Sequence, residues 1–236
     1  MDKTVVHPRF GEITVLRTRR ARRISVSVRP PGKIRLTLPV LCPLKTGMAF
    51  IEEKSEWIEK TVKKIGEKYP EHPILPPYST AKHELELKPV RADKISARIS
   101  AGKIAVSYPE NVMPESDEIQ QAIKAAILRA LRREAAEMLP PLVDRLASEH
   151  GFRYRSVTVR ATRSRWGSCS GRDDISLSVY LMLLPRHLVE YIILHELCHT
   201  KYKDHSEKFH RLLDSHLYGK EKQYIKEIRA YRPGIF

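Results

Sequence analysis

The segment from residue 189 to residue 199 reads Val-Glu-Tyr-Ile-Ile-Leu-His-Glu-Leu-Cys-His and lies shortly after Pro185. Proline is favoured at the first position of a helix, and the segment is mostly apolar, so the sequence predicts a largely buried helix. Its end carries the pattern H-E-x-x-H, with His195 and His199 four residues apart. Such residues differ by only about 40° around the helix axis, so both imidazoles can reach one metal ion.

The chemistry of this pattern is that of a zinc hydrolase. Neutral imidazole nitrogens bind Zn²⁺ at roughly 2.0 to 2.1 Å, and a catalytic zinc keeps three protein ligands and one position for water. Glu196, next to His195, is suited to take a proton from that water as it attacks a polarised carbonyl, and to pass it to the leaving amine. The sequence therefore predicts one zinc ion per chain and cleavage of amide bonds.

The third ligand has to come from downstream, and His205 is the best candidate. In an unbroken helix, the six residues after His199 would turn His205 about 240° away from the metal, so the helix must end first. Asp204 and Glu207 have the spacing of a helix-capping acid and an acid in the first turn. We therefore expect a new helix with His205 at its first position.

Other side chains compete for the same roles. The alternative third ligands are His210, His216, Glu207 and Cys169. His210 is equally compatible with hydrogen bonding to a ligand from outside the metal sphere, or with an ordinary place on a helix. Cys198 lies between the two histidines but not on their face of the helix, so we expect it to pack in the core.

The segment from 164 to 170, Ser-Arg-Trp-Gly-Ser-Cys-Ser, is unusually rich in residues that serve binding sites. Arg165 is a candidate for stabilising an oxyanion or binding a substrate carboxylate, although a plain surface charge is the alternative. Together with His210, it is one of two candidates for stabilising the transition state. Trp166 by itself is more typical of a hydrophobic core.

Upstream, alternating apolar residues predict a β-hairpin with strands at 24–28 and 34–38 and a Pro-Pro-Gly turn at 30–32. A helical spacing follows from 44 to about 69, and prolines 70, 73, 76 and 77 then form a stiff linker.

A similar layout returns further along the chain, with strands at 95–99 and 104–107 and a helix from about 114. That helix is expected to break near Pro140-Pro141 and to resume to His150. Strands are expected at 156–162 and 175–181. These patterns predict an α+β protein with repeated β-hairpin–helix units at 1–75 and 76–150, followed by a metal-binding region at 151–236.

The net charge of +15 comes from 43 basic and 28 acidic residues and is unevenly distributed. Residues 13–51 contain nine bases and no acid, and residues 150–172 contain six bases and no acid. Such stretches can attract a polyanion or can simply be solvated. We therefore keep, as an alternative function, nucleic-acid binding through the basic N-terminal hairpin, either alone or combined with proteolysis.

The composition also narrows the cellular context. With 42% hydrophobic residues, the chain can form a folded core, and no apolar run reaches the length of a membrane span. The N-terminus lacks the pattern of a signal peptide, and the three cysteines are few and far apart. We expect a soluble cytoplasmic protein with reduced thiols.

Several motifs together resemble the YgjP-like metallopeptidase domain family, over roughly residues 17–217. These are Arg165 to Cys169, the Ile-Ser-Leu strand at 175–177, Leu184-Pro185, His195 to His199 with His205, and Phe209. The resemblance implies a zincin-like core, a small sheet plus the H-E-x-x-H helix, with His195, His199 and His205 as zinc ligands and Glu196 as catalytic acid and base. The ligand spacing is also similar to that of the Wss and SprT-like proteases.

The resemblance further implies a polypeptide substrate, although its identity is left open. Zincins align an extended peptide along a sheet edge beside the active-site helix, and the strand at 175–180 is expected to be that edge. A degenerate, inactive scaffold is the weakest interpretation, because the set of ligand and base residues is intact.

Overall fold

The computed structural model describes residues 2–29, 32–68 and 72–231. Their contacts divide the chain into two compact units, Met1–His72 and Pro73–Phe236. The division falls within the predicted proline linker, of which Pro70 lies outside the described residues. The further boundary expected between residues 150 and 151 stays a prediction.

The first unit contains a four-stranded sheet and two helices. In chain order its elements are β1 (Asp2–His7), β2 (Gly11–Arg17), β3 (Ser25–Arg29), β4 (Lys33–Leu38), α1 (Leu44–Glu53) and α2 (Ser55–Lys68). The strands lie in the order β1-β2-β4-β3, and β3 and β4 form the predicted antiparallel hairpin. In the turn of that hairpin, Pro30 and Pro31 lie outside the described residues. The single helix predicted from 44 to 69 is interrupted at Lys54.

The alternation along β4 explains the core of the first unit. Ile34, Leu36 and Leu38 point inward and are at most 4% exposed. Helix α1 packs close to this strand because Gly47 has no side chain. A Cβ at position 47 would lie 2.8 Å from a Leu38 methyl and 2.9 Å from a Leu36 methyl.

The second unit contains two three-stranded sheets around a long helix. Its elements are β5 (Glu84–Val90), β6 (Ser96–Ser100), β7 (Lys103–Pro109), α3 (Asp117–His150), β8 (Ser156–Arg160), β9 (Gly167–Cys169), β10 (Asp174–Ser178), a 3-10 helix (Val179–Leu183), α4 (Arg186–Cys198), α5 (Glu207–His216) and α6 (Glu221–Ile228). One apolar core joins residues from both sheets and from α3, α4 and α5.

The sheets of the second unit are built alike. In the sheet β5-β7-β6, the central strand β7 runs parallel to β5 and antiparallel to β6. In the sheet β8-β10-β9, the central strand β10 likewise runs parallel to β8 and antiparallel to β9. Strands β2, β3 and β4 of the first unit pair in the same way. The mixed α+β class is thus observed, whereas the origin of these units by duplication stays a prediction.

The prediction that the long helix breaks near Pro140-Pro141 is wrong. Helix α3 continues through Pro140 and Pro141 to His150 and ends where Gly151 adopts a left-handed conformation, with φ +68°. Each proline removes one backbone hydrogen bond. The helix persists because Leu139 and Val143, on either side of the prolines, are buried in the core.

Two strand predictions also need correction. The strand expected at 175–181 ends at Ser178 and continues as the 3-10 helix, and the strand expected at 156–162 ends at Arg160. Strand β10 lies in the centre of its sheet rather than at the edge. Within the described residues, the edge that faces α4 belongs to β9, because the chain folds back after Trp166 and adds this short strand outside β10.

The described chain contains no helix with the length and apolar character needed to cross a membrane. All three cysteines are free, and Cys198 is buried as expected. The cytoplasmic location stays a prediction.

Candidate metal centre

Helix α4 supplies two of the candidate ligands from its last turn. Pro185 precedes the helix, with ψ 145°, and the helix ends at Cys198, so that His199 caps it. Apolar residues on nearly every side of the helix, such as Leu188, Ile193 and Leu197, are buried. The H-E-x-x-H pattern is therefore held in place by the core of the second unit.

The chain reverses direction directly after His199. The backbone amides of Lys201 and Tyr202 both donate to the carbonyl of Cys198, at 3.0 Å. The ring Nδ1 of His199 lies 2.9 Å from the carbonyl oxygen of Tyr202. Because a carbonyl oxygen only accepts, Nδ1 carries the hydrogen and Nε2 presents its lone pair.

The start of α5 differs from the expectation. The helix begins at Glu207 with Ser206 at the cap position, so His205 lies in the loop before it and not at its first position. Asp204 does not cap the helix. Its carboxylate accepts a hydrogen bond from the amide of Ser206 at 3.2 Å, which forms a local turn. Asp204 lies two residues before Ser206, the residue at the cap position.

The structure brings the three predicted histidines together. One ligand nitrogen from each of His195, His199 and His205 lies within 4.8 Å of the other two. The Nε2 atoms of His195 and His205 are 3.1 Å apart. Two ligand nitrogens on a tetrahedral ion would be about 3.4 Å apart. The donor set, three imidazoles around one point, therefore fits a zinc ion.

Phe209 forms an apolar support for these rings. Its ring centroid lies 4.9 Å from that of His195, 4.6 Å from that of His199 and 4.9 Å from that of His205. Burial, together with the neighbouring histidines, lowers the pKa of His195 to about 3. The imidazole is thus neutral at physiological pH, the form in which histidine binds a metal.

Glu196 lies beside this cluster and is only 6% exposed. Burial raises the pKa of its carboxyl group to about 7, and the positive charge of Arg165 opposes the shift. Strand β9 approaches this carboxyl group closely at Gly167. A Cβ at position 167 would lie 2.6 Å from Oε1 of Glu196, so the backbone occupies this place only because the residue is glycine.

These groups open into a cavity of about 520 Å³. It is lined by Ser164, Arg165, Gly167, Ser168, Cys169, His195, Glu196, His199, Lys203 and His205. The cavity thus brings the segment around Trp166 to the histidine cluster. Arg165, one candidate for charge stabilisation, is among the lining residues.

Of the alternative ligands, His216 and Glu207 have other partners, whereas His210 and Cys169 lie closer to the cluster. The Nδ1 of His216 lies 3.0 Å from the Nδ1 of His150, and Glu207 forms an ion pair with Arg211. His210 is near the cluster, with its ring centroid 6.3 Å from that of His205. Its Nδ1, however, lies 2.6 Å from the carboxylate of Glu221. Cys169 lines the cavity on the side of β9.

Sequence reasoning missed two contributors to the site. Lys203 forms an ion pair with Asp173 and donates to the carbonyl of Ser170 at 3.1 Å. It thereby ties the loop that carries His205 to the turn between β9 and β10. Gly167 gives β9 its close approach to Glu196. Both roles depend on contacts across the fold, and no local pattern in the sequence marks them.

Comparisons with known proteins found one matching family and two similar solved structures. The model of the YgjP-like metallopeptidase domain matches residues 22–227. The structure is similar to the zymogen of abylysin, a metallopeptidase of Pyrococcus abyssi, with 23% identity and a TM-score of 0.36 over 39% of this chain and 93% of that one. It is also similar to the zymogen of jannalysin, a metallopeptidase of Methanocaldococcus jannaschii, with 22% identity and a TM-score of 0.31 over 37% of this chain and 94% of that one. No curated protein matches the sequence.

Proposed function

Because the chain belongs to the YgjP-like metallopeptidase domain family, we propose that it is a zinc-dependent peptidase that cleaves amide bonds of polypeptides. His195, His199 and His205 would hold one zinc ion, and Glu196 would act as general base. The observation that carries this proposal is the convergence of three imidazole nitrogens beside a buried carboxyl group. When bound, zinc would polarise the scissile carbonyl and the attacking water.

Glu196 handles the proton in this proposal. Its carboxylate accepts a proton from the attacking water as the C–O bond forms, and gives it to the amine nitrogen as the C–N bond breaks. The products are a carboxylic acid and an amine. In the metal-free chain, burial raises the pKa of this carboxyl group, so that it holds a proton more firmly than an exposed one.

The edge of β9 is suited to hold the substrate backbone. The amide of Ser178 donates to the carbonyl of Trp166, and the amide of Ser170 donates to that of Asp174. By the alternation of an antiparallel pair, the backbone groups of Gly167 and Cys169 therefore point away from β10. An extended peptide can pair with these groups directly over the cavity.

The decisive test combines metal analysis with activity. We expect purified protein to contain about one zinc per chain, and Glu196→Gln to keep the zinc while hydrolysis of a proteome-derived peptide library falls by about 10²- to 10⁴-fold. His210→Ala should keep the zinc, which separates His205 from its nearest competitor as third ligand. Wild-type activity in Glu196→Gln would contradict the proposed mechanism.

Nucleic-acid binding stays the second candidate function. It is favoured by the exposure of Arg19, Arg20, Arg22 and Arg23 between β2 and β3. Phosphate contacts would make such binding strongly dependent on salt. Triple replacement of Arg20, Arg22 and Arg23 by glutamate should abolish it, and unchanged binding with an unchanged salt dependence would exclude this surface.

A further inference from the structure

The sheet beside the metal centre has a polar outer face. Val157, Ile175 and Leu177 point into the core, and Gly167 and Cys169 of β9 share that side of the sheet. The residues between them point the other way. This outer face carries Ser156, Thr158, Arg160, Ser168, Asp174 and Ser176. Small hydroxyl side chains leave room above the sheet for a ligand.

A groove of about 750 Å³ follows this outer face. It shares five lining residues with the metal-centre cavity: Ser164, Arg165, Gly167, Ser168 and Cys169. The groove and the cavity therefore adjoin each other at β9. A chain whose scissile bond lies at the metal centre can extend into the groove without leaving the protein surface.

The charges that line the groove favour an anionic occupant. Asp174 is its one acidic residue among those described, and Arg155 pairs with it through Nε, 2.6 Å from Oδ1. The Arg155 guanidinium holds the pKa of Asp174 well below its usual range. The Asp174 carboxylate is therefore ionised, and the positive charge of Arg155 balances its negative charge. Arg160 and Arg165 remain as the excess positive charge of the groove.

Several groove side chains have polar atoms with no partner in the protein. Within the described residues, the hydroxyl groups of Ser168 and Ser176 make no hydrogen bond, and these two residues lie directly opposite each other on neighbouring strands. The exposed side chain of Arg160 likewise has no ion pair or hydrogen bond in the described part of the chain. Together they offer donors suited to a carboxylate.

We propose that this groove binds an acidic segment of the polypeptide substrate, which makes the enzyme selective for chains with clustered aspartate or glutamate near the scissile bond. The inference rests on the proposed peptidase function, because it takes the occupant to be the substrate itself. Single-stranded nucleic acid fits less well. Binding it typically uses several aromatic platforms, whereas Trp166 is the one aromatic residue among the described lining of the groove.

The first test measures binding without catalysis. In the Glu196→Gln background, fluorescence anisotropy with labelled decaglutamate should show binding that decaglutamine does not. Adding Arg160→Gln should weaken it roughly tenfold, as expected for loss of one charged hydrogen-bonding partner. Arg153→Gln is the matched control, since Arg153 lies in the same basic stretch, is exposed and does not line the groove.

The outcomes separate the alternatives. Equal weakening by Arg160→Gln and Arg153→Gln, or no binding of decaglutamate, would overturn the proposal. So would binding of labelled decathymidylate that depends on Arg160 while decaglutamate fails to bind, because the groove would then serve nucleic acid. Since Arg160 is exposed, both variants should unfold at the wild-type temperature, which is measured alongside.

The second test uses cleavage by the otherwise wild-type enzyme. Sites cut in a proteome-derived peptide library should be enriched in aspartate and glutamate on one side of the scissile bond, and Arg160→Gln should lose this enrichment. An enrichment unchanged by Arg160→Gln would overturn the proposal while leaving the peptidase function intact. If no peptide is cleaved by any form, the proposed function fails, and the binding test still decides whether the groove takes acidic chains.

Discussion

The candidate metal centre has a helical half and a loop half, and the two are built differently. His195 and Glu196 lie on α4, where the core of the second unit fixes them. His205 is exposed in the loop before α5, and that loop is held by Lys203 and by the packing of Phe209. The helical half is thus a product of local periodicity and burial, whereas the loop half depends on a few contacts across the fold.

The largest expected effect is the loss of zinc when a ligand is removed from either half. Structural zinc sites bind with about 10 to 16 kcal/mol, so one of four ligands accounts for roughly 3 kcal/mol, or about 100-fold in affinity. We expect His195→Ala and His205→Ala to weaken zinc binding by at least this much, as measured by chelator competition.

The same two variants should differ in the stability of the metal-free protein. His195 is partly buried and packs against Tyr191 and Phe209, so its removal leaves a void and should cost about 1 to 3 kcal/mol of unfolding free energy. His205 is exposed, and its removal should change stability by less than about 0.5 kcal/mol. Equal losses of unfolding free energy in the two variants, measured by urea unfolding, would contradict the division into two halves.

A second prediction concerns the buried carboxyl group of the helical half. Its pKa is about 7 in the folded chain without metal, against an ordinary value of 4.5. Between these values the folded state holds a proton that the unfolded state has lost, so the stability of the metal-free protein falls as the pH rises through this window. A glutamine at position 196 cannot ionise, so it does not cause this loss of stability as the pH rises.

Metal-free Glu196→Gln should therefore gain stability over the wild type above pH 7, by up to about 3 kcal/mol, and the difference should shrink below pH 4.5. Urea unfolding after chelator treatment at both ends of the window measures it. Glu118→Gln, at an exposed position of α3, is the control and should show no comparable gain. A difference that is constant with pH would rule out ionisation as the cause.

A third prediction addresses the boundary between the halves, where β9 meets Glu196. Gly167→Ala would put a methyl group 2.6 Å from the carboxylate oxygen, so either the strand or the carboxylate must move. Displacement of a catalytic group by about 1 Å can cost about 100-fold in rate, and we expect a loss of this size with zinc content unchanged. Gly171→Ala is the matched control, because no atom lies within 4 Å of the added Cβ.

The smallest effect is expected from Lys203, which connects the loop half to the turn between β9 and β10. Lys203→Met removes an exposed ion pair with Asp173, and such pairs contribute about 1 kcal/mol or less. Zinc affinity should fall less than about tenfold, and high salt should remove most of the difference from the wild type. Lys208→Met, at an exposed position of α5, should leave zinc affinity unchanged.

The sequence predicted the helical half more fully than the loop half. Four-residue spacing on an apolar helix was enough to bring His195 and His199 together, and Glu196 lines the same cavity. The choice of His205 as third ligand required a break after His199, but the cap of the next helix was assigned to Asp204 instead of Ser206. Serine and aspartate both suit a cap, and the choice between them depends on the path of the loop.

The remaining errors have a common physical origin in tertiary contacts. Pro140 and Pro141 favoured a break in α3, but the buried residues around them keep the chain helical. The family resemblance implied that the strand at 175–180 is a sheet edge, yet β9, only three residues long, covers β10. The close contact of Gly167 and the bonds of Lys203 are likewise set by neighbours distant in sequence.

The packing of Phe209 has a consequence for how the centre acquires its metal. Its ring packs against all three imidazoles, so an apolar contact within the protein helps to hold them near one another. A binding site arranged in advance loses little conformational entropy when its ligand arrives. We therefore expect the chain to fold without the ion, in contrast to zinc fingers, in which the metal must assemble the domain around itself.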